Sequence, residues 1–253
     1  MSNLYALLLG GLSDGGAPRE YRPLPTCREI ESTPYEAPLV HYSDSVADRR
    51  PSPRKRGSSV GRVPDPFRRR WIYFESGLEH RHLVTLIANP AVSDIREQQT
   101  RSYLARGRRH RYTTDYLVTF NDGHKVAYEV KYAETAARKG TEALLQEVCE
   151  HVGDDLADEY NLLTELHVND VAVANAKSII ECGRDFDIRG QEVVRASLMR
   201  APATITLAEI GELSGLGARG ERAAMALIQQ GALRFDPAEP LSPTVKLRNL
   251  CTQ

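Results

Sequence analysis

Three ionisable side chains at a fixed spacing stand out in the middle of the chain. Asp115 is followed fourteen residues later by Glu129-x-Lys131, and both lie in segments that alternate polar and apolar residues with the period of a β-strand, 112–120 and 125–132. An Asn-Asp-Gly turn signal separates the two segments, which predicts a β-hairpin. A carboxylate on one strand and Glu-x-Lys on the next is the arrangement of a metal-dependent phosphodiesterase.

The register of this hairpin decides whether the three side chains can meet. A two-residue loop would place Asp115 opposite Val130 and turn Glu129 to the far face of the sheet. A three-residue loop, with Gly123 in the left-handed conformation that glycine adopts at little cost, places Asp115 opposite Glu129. The three-residue loop also gathers the apolar side chains of both strands on the opposite face, so we predict this register.

Two carboxylates about 5 Å apart across a sheet repel each other, unless a cation lies between them. Mg²⁺ resolves this conflict, because it prefers oxygen ligands and retains water molecules, one of which can act as the nucleophile. Lys131 would point at the same centre, where its ammonium could orient the attacking water or offset charge on the phosphorane. The alternative is a surface hairpin in which the lysine only offsets the acids.

A third carboxylate is expected from the segment that precedes this hairpin. Glu75 and Glu79 are four residues apart at the start of a predicted helix and therefore share one face. Ser76-x-x-Glu79 is also a capping box, so a purely structural role for Glu79 stays open. We interpret His82, on the same face, as a packed or solvated histidine rather than a metal ligand.

The elements that position these residues are predicted to form one domain over residues 71–195. Leu78, Leu83, Leu86 and Ile87 form a helical stripe that ends before Asn89-Pro90. Segment 91–99 reads as a connector or a short strand. Beyond the hairpin, the pattern predicts a helix over 141–159, a strand over 160–164 and a helix over 170–180.

Residues 1–70 are predicted to be a Pro- and Arg-rich leader, extended or disordered by itself. They contain nine of the fourteen prolines and no sustained apolar periodicity. Segment 49–70 carries nine basic residues against one acid, Asp65. Such a run is either a solvated tail or an arm that binds phosphates.

The last part of the chain, residues 196–253, is predicted to be a separate winged-helix domain. Two short helical stripes flank Gly215 and Gly217, and Thr206 with Glu209 forms a capping box at the first helix. A short apolar segment, a Pro-rich loop and residues 244–247 then suggest a small β-hairpin.

Composition places the chain among ordinary globular proteins. With 41% hydrophobic and 26% charged residues and a net charge of −1, collagen-like, coiled-coil and fully disordered chains are excluded. The four cysteines are far apart and form no C-x-x-C pair, which argues against a zinc ribbon and a secreted disulfide framework. Residues 4–9 are apolar but too short to span a bilayer, so we expect a soluble, cytoplasmic protein without a membrane partner.

Several motifs together resemble the TnsA endonuclease subunit of heteromeric cut-and-paste transposases. The similarity covers residues 70–185 in consistent order and is carried by Ile72-Tyr-Phe-Glu-Ser-Gly-Leu-Glu79, Asn89-Pro-Ala-Val-Ser-Asp-Ile-Arg-Glu-Gln98, Thr114-Asp-Tyr-Leu-Val118, Glu129-Val-Lys131, Tyr160-Asn-Leu-Leu-Thr-Glu165 and Asn175-Ala-Lys177. The first four of these motifs, linked in this order, make the resemblance more specific than any one of them, and the last two continue it. The long leader and Tyr132, where many relatives have proline, depart from the family pattern.

The resemblance implies an α/β fold with a restriction-endonuclease-like (PD-(D/E)xK) core and a winged-helix C-terminal domain. It assigns the helix acid to Glu79, and the catalytic set to Glu79, Asp115, Glu129 and Lys131, with the three acids as ligands of one or two Mg²⁺ ions that Mn²⁺ can replace. The family tolerates glutamine at position 129. Gln98 also matches a family position and is interpreted as structural or supporting.

The resemblance also implies substrates and partners. The family's subunit cuts the 5′ ends of the transposon in double-stranded DNA, while a separate strand-transfer transposase cuts and joins the 3′ ends. An ATPase regulator is a further partner, contacted through the C-terminal region. Arginines near the site are expected to bind DNA phosphates, namely Arg68, Arg69, Arg70, Arg106, Arg108, Arg109 and Arg111, with Arg101 beside them.

Two other functions stay open from the sequence. One is an adapter that binds DNA and assembles the transposase while its nuclease centre is idle. The other is a stand-alone nuclease of the restriction type, because a fold does not by itself define a function.

Overall fold

The structure is a computed structural model that describes residues 39–49 and 59–251. The predictions made for residues 1–38 and 50–58, which form most of the leader, lie outside the described residues. The chain divides into two compact units, one formed by residues 41–169 and the other containing the chain from Asp170 onward.

A mixed four-stranded sheet forms the centre of the first unit, in the order β3-β6-β7-β8. β3 to β6 and β6 to β7 are antiparallel, whereas β7 and β8 are parallel. α1 packs against β2 and β3, and α3 packs against β4 and β8. In chain order the elements are β1 (Gly61–Asp65), β2 (Arg70–Phe74), α1 (Gly77–Ala88), β3 (Val92–Glu97), β4 (Thr100–Ala105), β5 (Arg108–Thr113), β6 (Tyr116–Phe120), β7 (Lys125–Val130), α2 (Ala133–Lys139), α3 (Thr141–Val152) and β8 (Glu159–Leu163).

Helix α1 follows the predicted stripe and ends where proline requires it to end. Ser76 caps its first turn by accepting a hydrogen bond from the Glu79 N–H, and Asn89 adopts an extended conformation before Pro90. Leu83 and Ile87 are fully buried on its inner face. The stripe, the cap and the stop are therefore confirmed.

The hairpin between β6 and β7 has the predicted register. Tyr116 pairs with Tyr128 and Thr119 with Lys125, so the Asn-Asp-Gly turn forms a three-residue loop. Gly123 has a φ of +87°, which is the left-handed region that an L side chain enters only with strain. The strand predicted over 112–120 is interrupted at Thr114 and Asp115, because residues up to Thr113 pair with β4 instead.

The β4–β5 pair is a two-stranded ribbon that the sequence pattern did not predict. One face is buried through Tyr103, Ala105 and Tyr112, which pack with Val148 of α3. The opposite face carries Leu104, which is 70% exposed, together with Ser102, Arg109 and Arg111. Arginines occupy both faces of the ribbon, Arg101 and Arg108 on one and Arg109 and Arg111 on the other. The sequence therefore shows no clear alternation of polar and apolar residues.

The end of the predicted leader belongs to the folded unit, which corrects the boundary at residue 70. Gly61–Asp65 pairs with Arg70–Phe74 as an antiparallel hairpin. Asp65 is fully buried and accepts hydrogen bonds from the N–H groups of Phe67 and Arg68, so a polar turn stabilises the connection. A turn held by one buried aspartate gives no periodic signal, and the prolines around it suggested an extended chain.

The second unit combines four helices with a small sheet. Its elements are α4 (Asp170–Gly183), α5 (Ile188–Leu198), β9 (Thr204–Thr206), α6 (Leu207–Leu213), α7 (Ala218–Gln229), β10 (Leu233–Arg234) and β11 (Lys246–Asn249), with strand order β10-β11-β9. The capping box of Thr206 and Glu209 is present. The sequence placed the start of the last domain at residue 196, whereas the compact unit begins at Asp170, because α4 and α5 both pack on α7.

Among the described residues, no helix is both long enough and apolar enough to cross a membrane.

The conformation of Gly123 generates a stability prediction. We expect Gly123→Ala to destabilise the protein by about 1 kcal/mol, because alanine is strained at this φ. Urea unfolding of the full chain measures the change. Gly77→Ala is the matched control, since Gly77 opens helix α1 with nothing within 4 Å of an added Cβ, and it should be neutral or slightly stabilising. Equal effects of the two substitutions would contradict a strained turn.

Candidate active site

Asp115 lies at the break between β5 and β6 and is held by backbone and side-chain donors. Its N–H donates to the Tyr128 carbonyl at 3.0 Å, which continues the hairpin register. Its carboxylate accepts from the Val130 N–H (Oδ2, 2.8 Å) and from the Gln98 amide nitrogen (Oδ1, 3.3 Å). The Asp115 side chain is therefore held in place at the end of the sheet, directly before strand β6.

Glu129 and Lys131 stand at the end of β7 and pair with each other. The Lys131 ammonium binds Glu129 Oε1, and the Tyr112 hydroxyl donates to Glu129 Oε2 at 3.3 Å. The Lys131 N–H donates to the Leu163 carbonyl at 3.0 Å, so the parallel neighbour β8 positions its backbone. This ion pair is what the alternative of a surface hairpin, in which the lysine only offsets the acids, would also show. The charge of Lys131, however, also lowers the pKa of Asp115, so Lys131 acts on both acids.

Glu79 takes part in the cap of α1. Its Oε1 accepts from the Ser76 hydroxyl at 2.9 Å and its Oε2 from the Glu75 N–H at 2.7 Å. The Ser76 half of the predicted capping box is present, since the Ser76 side chain accepts from the Glu79 N–H. The Glu79 carboxylate bonds to the Glu75 N–H and the Ser76 hydroxyl in place of the predicted Ser76 backbone. The cap does not take Glu79 away from the site, because its charge interacts with Asp115.

The two acids Glu79 and Asp115 share a poorly solvated, negatively charged environment. Burial is the main cause that raises the pKa of Glu79, to about 7, and the charge of Asp115 raises it further. Burial also raises the pKa of Asp115, against the lowering effects of the Val130 N–H, Lys131 and Gln98. That the helix acid and the hairpin acid act together in one catalytic set stays a prediction.

Two residues of the site were missed or underrated by the sequence reasoning. Arg49 forms an ion pair with Glu75 at 2.9 Å and donates to Gln98 Oε1 at 2.5 Å. Gln98 has a φ of 52°, a rare conformation for a residue other than glycine, and its side chain reaches Asp115. The supporting role predicted for Gln98 fits this contact, whereas nothing in the sequence pattern links Arg49 to the centre.

His82 is a packed core histidine, as predicted. It is fully buried, and its Nε2 lies 3.0 Å from the Thr164 carbonyl, for which it must carry the proton. Burial lowers its pKa to about 4, so the ring is neutral at physiological pH.

The predicted DNA-binding arginines fall into two groups. Arg68 pairs with Asp65 at 2.7 Å and Arg70 with Asp94 at 2.8 Å, and both also donate to backbone carbonyls of β3. These two guanidinium groups therefore serve the fold. The other five are exposed, namely Arg69, Arg106, Arg108, Arg109 and Arg111, and Arg106 also pairs with Glu147 at 3.3 Å.

The centre offers Mg²⁺ a small set of carboxylate ligands. Within the described ranges 39–49 and 59–251, no group of three or more His, Cys, Asp or Glu side chains is arranged to hold a metal ion. Mg²⁺ does not require such a group, since it is usually bound by one or two carboxylates, with water and substrate phosphate completing the octahedron. Glu79 and Asp115, each hydrogen-bonded to neutral donors, fit that pattern.

The side chains of this centre indicate the kind of reaction that it can perform. Two clustered carboxylates with a nearby ammonium, built at the end of a mixed sheet, are suited to phosphodiester hydrolysis. The mixed α/β architecture of this unit fits an endonuclease-like core.

Comparison with known families agrees with this class. Residues 89–166 match the family described as TnsA-like endonuclease N terminal. The resemblance to a TnsA-type endonuclease subunit is thereby confirmed over the segment that carries Gln98, Asp115, Glu129 and Lys131, and the match supports nuclease activity. Glu79 and Arg49 lie outside it. Comparison with curated proteins gave no match to the chain.

The raised pKa of Glu79 generates a prediction about stability and pH. As pH rises from 4.5 to about 7, the unfolded state loses this proton while the folded state retains it, so the free energy of unfolding falls. Glu79→Gln removes the titration. We expect the variant to gain, relative to wild type, on the order of 1 to 3 kcal/mol between pH 4.5 and pH 8, since one pKa unit corresponds to about 1.4 kcal/mol.

Urea unfolding in metal-free buffer at several pH values measures this gain. Glu209→Gln is the control, because the exposed Glu209 has a lowered pKa, through its bonds to Thr206, and titrates below this window. Its stability should run parallel to that of wild type above pH 4.5. If the free energy of unfolding of Glu79→Gln also ran parallel to that of wild type over this pH range, the ionisation of Glu79 would not destabilise the folded protein.

Proposed function

We propose that this protein is a metal-dependent DNA endonuclease subunit of a heteromeric transposase, and that it hydrolyses phosphodiester bonds at the 5′ ends of the transposon. The observation that carries the proposal is the position of Asp115, held by the Val130 N–H at the start of β6, across the hairpin from the Glu129–Lys131 pair at the end of β7. Asp115, Glu129 and Lys131 lie in the segment that matches TnsA-like endonucleases.

In this proposal Mg²⁺, replaceable by Mn²⁺, is held by Glu79 and Asp115. The ion would supply a water nucleophile and polarise the phosphate. The charge of the ion would stabilise the ionised form of both carboxylates, whose pKa values are raised mainly by burial. The prediction that Glu129 is a third ligand, and that a second ion binds, stays a prediction, because the Glu129 carboxylate pairs with Lys131 in this structure.

Lys131 contributes as a donor rather than as a base. Its ammonium is bound to the Glu129 carboxylate, which favours the protonated form. A protonated lysine cannot accept a proton from water, but it can donate hydrogen bonds to phosphate oxygens as negative charge develops on them. Glu129 and Tyr112 keep this ammonium at the end of β7.

The β4–β5 ribbon is the proposed contact with double-stranded DNA. It contains five arginines and no acid between residues 100 and 113. Its strand β5 leads directly into Asp115, so Arg111 and Arg109 lie about 13 and 20 Å from Asp115 along the chain, at about 3.3 Å per residue. That spacing brackets half a turn of duplex DNA, about 17 Å.

The second unit is proposed to be a winged-helix domain that docks partner proteins. Its α-β-α-α-β-β order from α5 to β11 is compatible with that fold. Arg219 forms two bonds to Asp187 and Arg222 two bonds to Asp185, so both arginines of α7 are neutralised. Neutralised arginines on this helix favour contact with the strand-transfer subunit or the ATPase over contact with DNA.

The adapter with an idle centre is the second candidate. The observation in its favour is that the described residues contain no ready three-ligand metal group. It predicts assembly and DNA binding without cleavage.

Asp115 provides the direct test. We expect Asp115→Asn to lose Mn²⁺ binding by at least about a hundredfold and to abolish 5′-end cleavage in the complex reconstituted with its partners, because a neutral amide is a poor ligand for a hard cation. Calorimetry and a cleavage assay measure the two effects. Asp122→Asn, in the exposed turn, is the matched control. Full cleavage by Asp115→Asn would refute the proposal, and an assembled wild-type complex that never cleaves would support the adapter.

The ribbon gives a separate prediction about DNA affinity. The double variant Arg109→Ala, Arg111→Ala should bind duplex DNA more weakly and flatten the plot of log K against log salt by about 2, since each lost phosphate contact contributes about 0.9. Fluorescence anisotropy at several salt concentrations measures the slope. Arg184→Ala, Arg200→Ala removes the same charge from the other unit and should leave the slope unchanged. An unchanged slope in the ribbon variant would exclude the ribbon as a phosphate contact.

A further inference from the structure

Segment 42–49, which the sequence assigned to the leader, is attached to the first strands of the nuclease-like unit. The Ser43 N–H donates to the Arg69 carbonyl at 2.8 Å, and the Trp71 N–H donates to the Ser43 carbonyl at 3.1 Å. The ring of Tyr42 packs 5.3 Å from that of Trp71. One end of the segment is therefore fixed to β2.

The other end is fixed where β3 passes into β4, on both sides of Gln98. The Ser45 hydroxyl binds Glu97, and Gln99 Nε2 donates to the Val46 carbonyl at 2.9 Å. Asp48 Oδ2 accepts from the Thr100 N–H at 2.8 Å. Three residues of the segment, Ser45, Val46 and Asp48, thus bond to Glu97, Gln99 and Thr100 around Gln98. Arg49 follows directly after Asp48.

Arg49 links Glu75 to Gln98, and through Gln98 to Asp115. Its Nη2 binds Glu75 Oε1 at 2.9 Å and Gln98 Oε1 at 2.5 Å. Glu75 is 5% exposed and acts as a buried anchor for the guanidinium. The remaining link is the 3.3 Å bond from Gln98 Nε2 to Asp115 Oδ1.

The side-chain amide of Gln98 has two ends with opposite hydrogen-bonding character. Because its oxygen accepts from Arg49, its nitrogen must face Asp115 and donate to it. Without Arg49 the amide could rotate by half a turn and present its oxygen to the Asp115 carboxylate, where it would repel rather than bind. The backbone of Gln98 is already fixed, since its N–H donates to the Asp115 carbonyl at 3.0 Å.

We propose that Arg49 is a positioning residue of the nuclease centre, which fixes the Gln98 amide so that Gln98 donates to Asp115. The proposal rests on the proposed function, in which Asp115 is a ligand of the divalent cation. It makes segment 42–49 a part of the active site. Arg49 acts through Gln98 and takes no part in the reaction itself.

The experiment is a double-mutant cycle on the full chain, with Mn²⁺ affinity measured by calorimetry. We expect Arg49→Ala and Gln98→Ala each to weaken Mn²⁺ binding about tenfold or more, the usual effect of removing a group that orients a metal ligand. The double variant should be no weaker than the weaker single variant, since both remove the same hydrogen bond to Asp115. Arg49→Lys, which retains a charged donor, should recover part of the affinity. Arg96→Ala, an exposed arginine that pairs with Asp94, is the matched control and should bind as wild type does.

A second measurement on the same variants, the free energy of unfolding, depends neither on metal nor on cleavage. Urea unfolding with EDTA should show that Arg49→Ala and Gln98→Ala destabilise the protein less together than the sum of the two single effects. Mn²⁺ affinity of Arg49→Ala equal to wild type, or effects of the two substitutions that multiply, would overturn the proposal. If wild type binds no Mn²⁺, the metal-dependent function fails, and the unfolding cycle then decides: coupled effects support the positioning role and additive effects overturn it.

Discussion

The burial of two carboxylates, Glu79 and Asp115, in a poorly solvated place is the constraint on which the rest of the nuclease-like unit depends. Two carboxylates so placed cost free energy when both are ionised, and burial and charge raise the pKa values accordingly. A fold that served stability alone would separate them or replace one. The surrounding elements instead hold both acids in place with neutral donors, namely the Ser76 hydroxyl, the N–H groups of Glu75 and Val130, and the Gln98 amide.

The other two acids of this region, Glu129 and Glu75, are each paired with a basic side chain. Glu129 is paired with Lys131, and Glu75 is paired with Arg49. The centre therefore contains two acids that pair with basic side chains and two, Glu79 and Asp115, that are hydrogen-bonded to neutral donors. That division is why a pair of carboxylates, completed by water and a DNA phosphate, is a better description of the proposed metal site than a cage of three acids.

The site is assembled from elements that stabilise one another across the chain. The β6–β7 register places Asp115 opposite Glu129, and β8 fixes the backbone of Lys131. Glu79 is supplied by the first turn of α1. The ribbon joins the same framework, since Tyr112 reaches Glu129 and packs into the core with α3.

The sequence by itself determined the features that depend on local geometry. A hydrophobic stripe with a serine cap and a proline stop defined α1, and an Asn-Asp-Gly loop with alternating strands defined the hairpin register and so the pairing of Asp115 with Glu129. Only the tertiary structure decided what depends on distant residues. It brought Arg49 to Gln98 across 49 positions, used Arg68 and Arg70 for the fold, and extended the second unit back to Asp170. These contacts leave no periodic trace, because a single buried ion pair or amide bond is specified by three-dimensional packing and not by its neighbours in the chain.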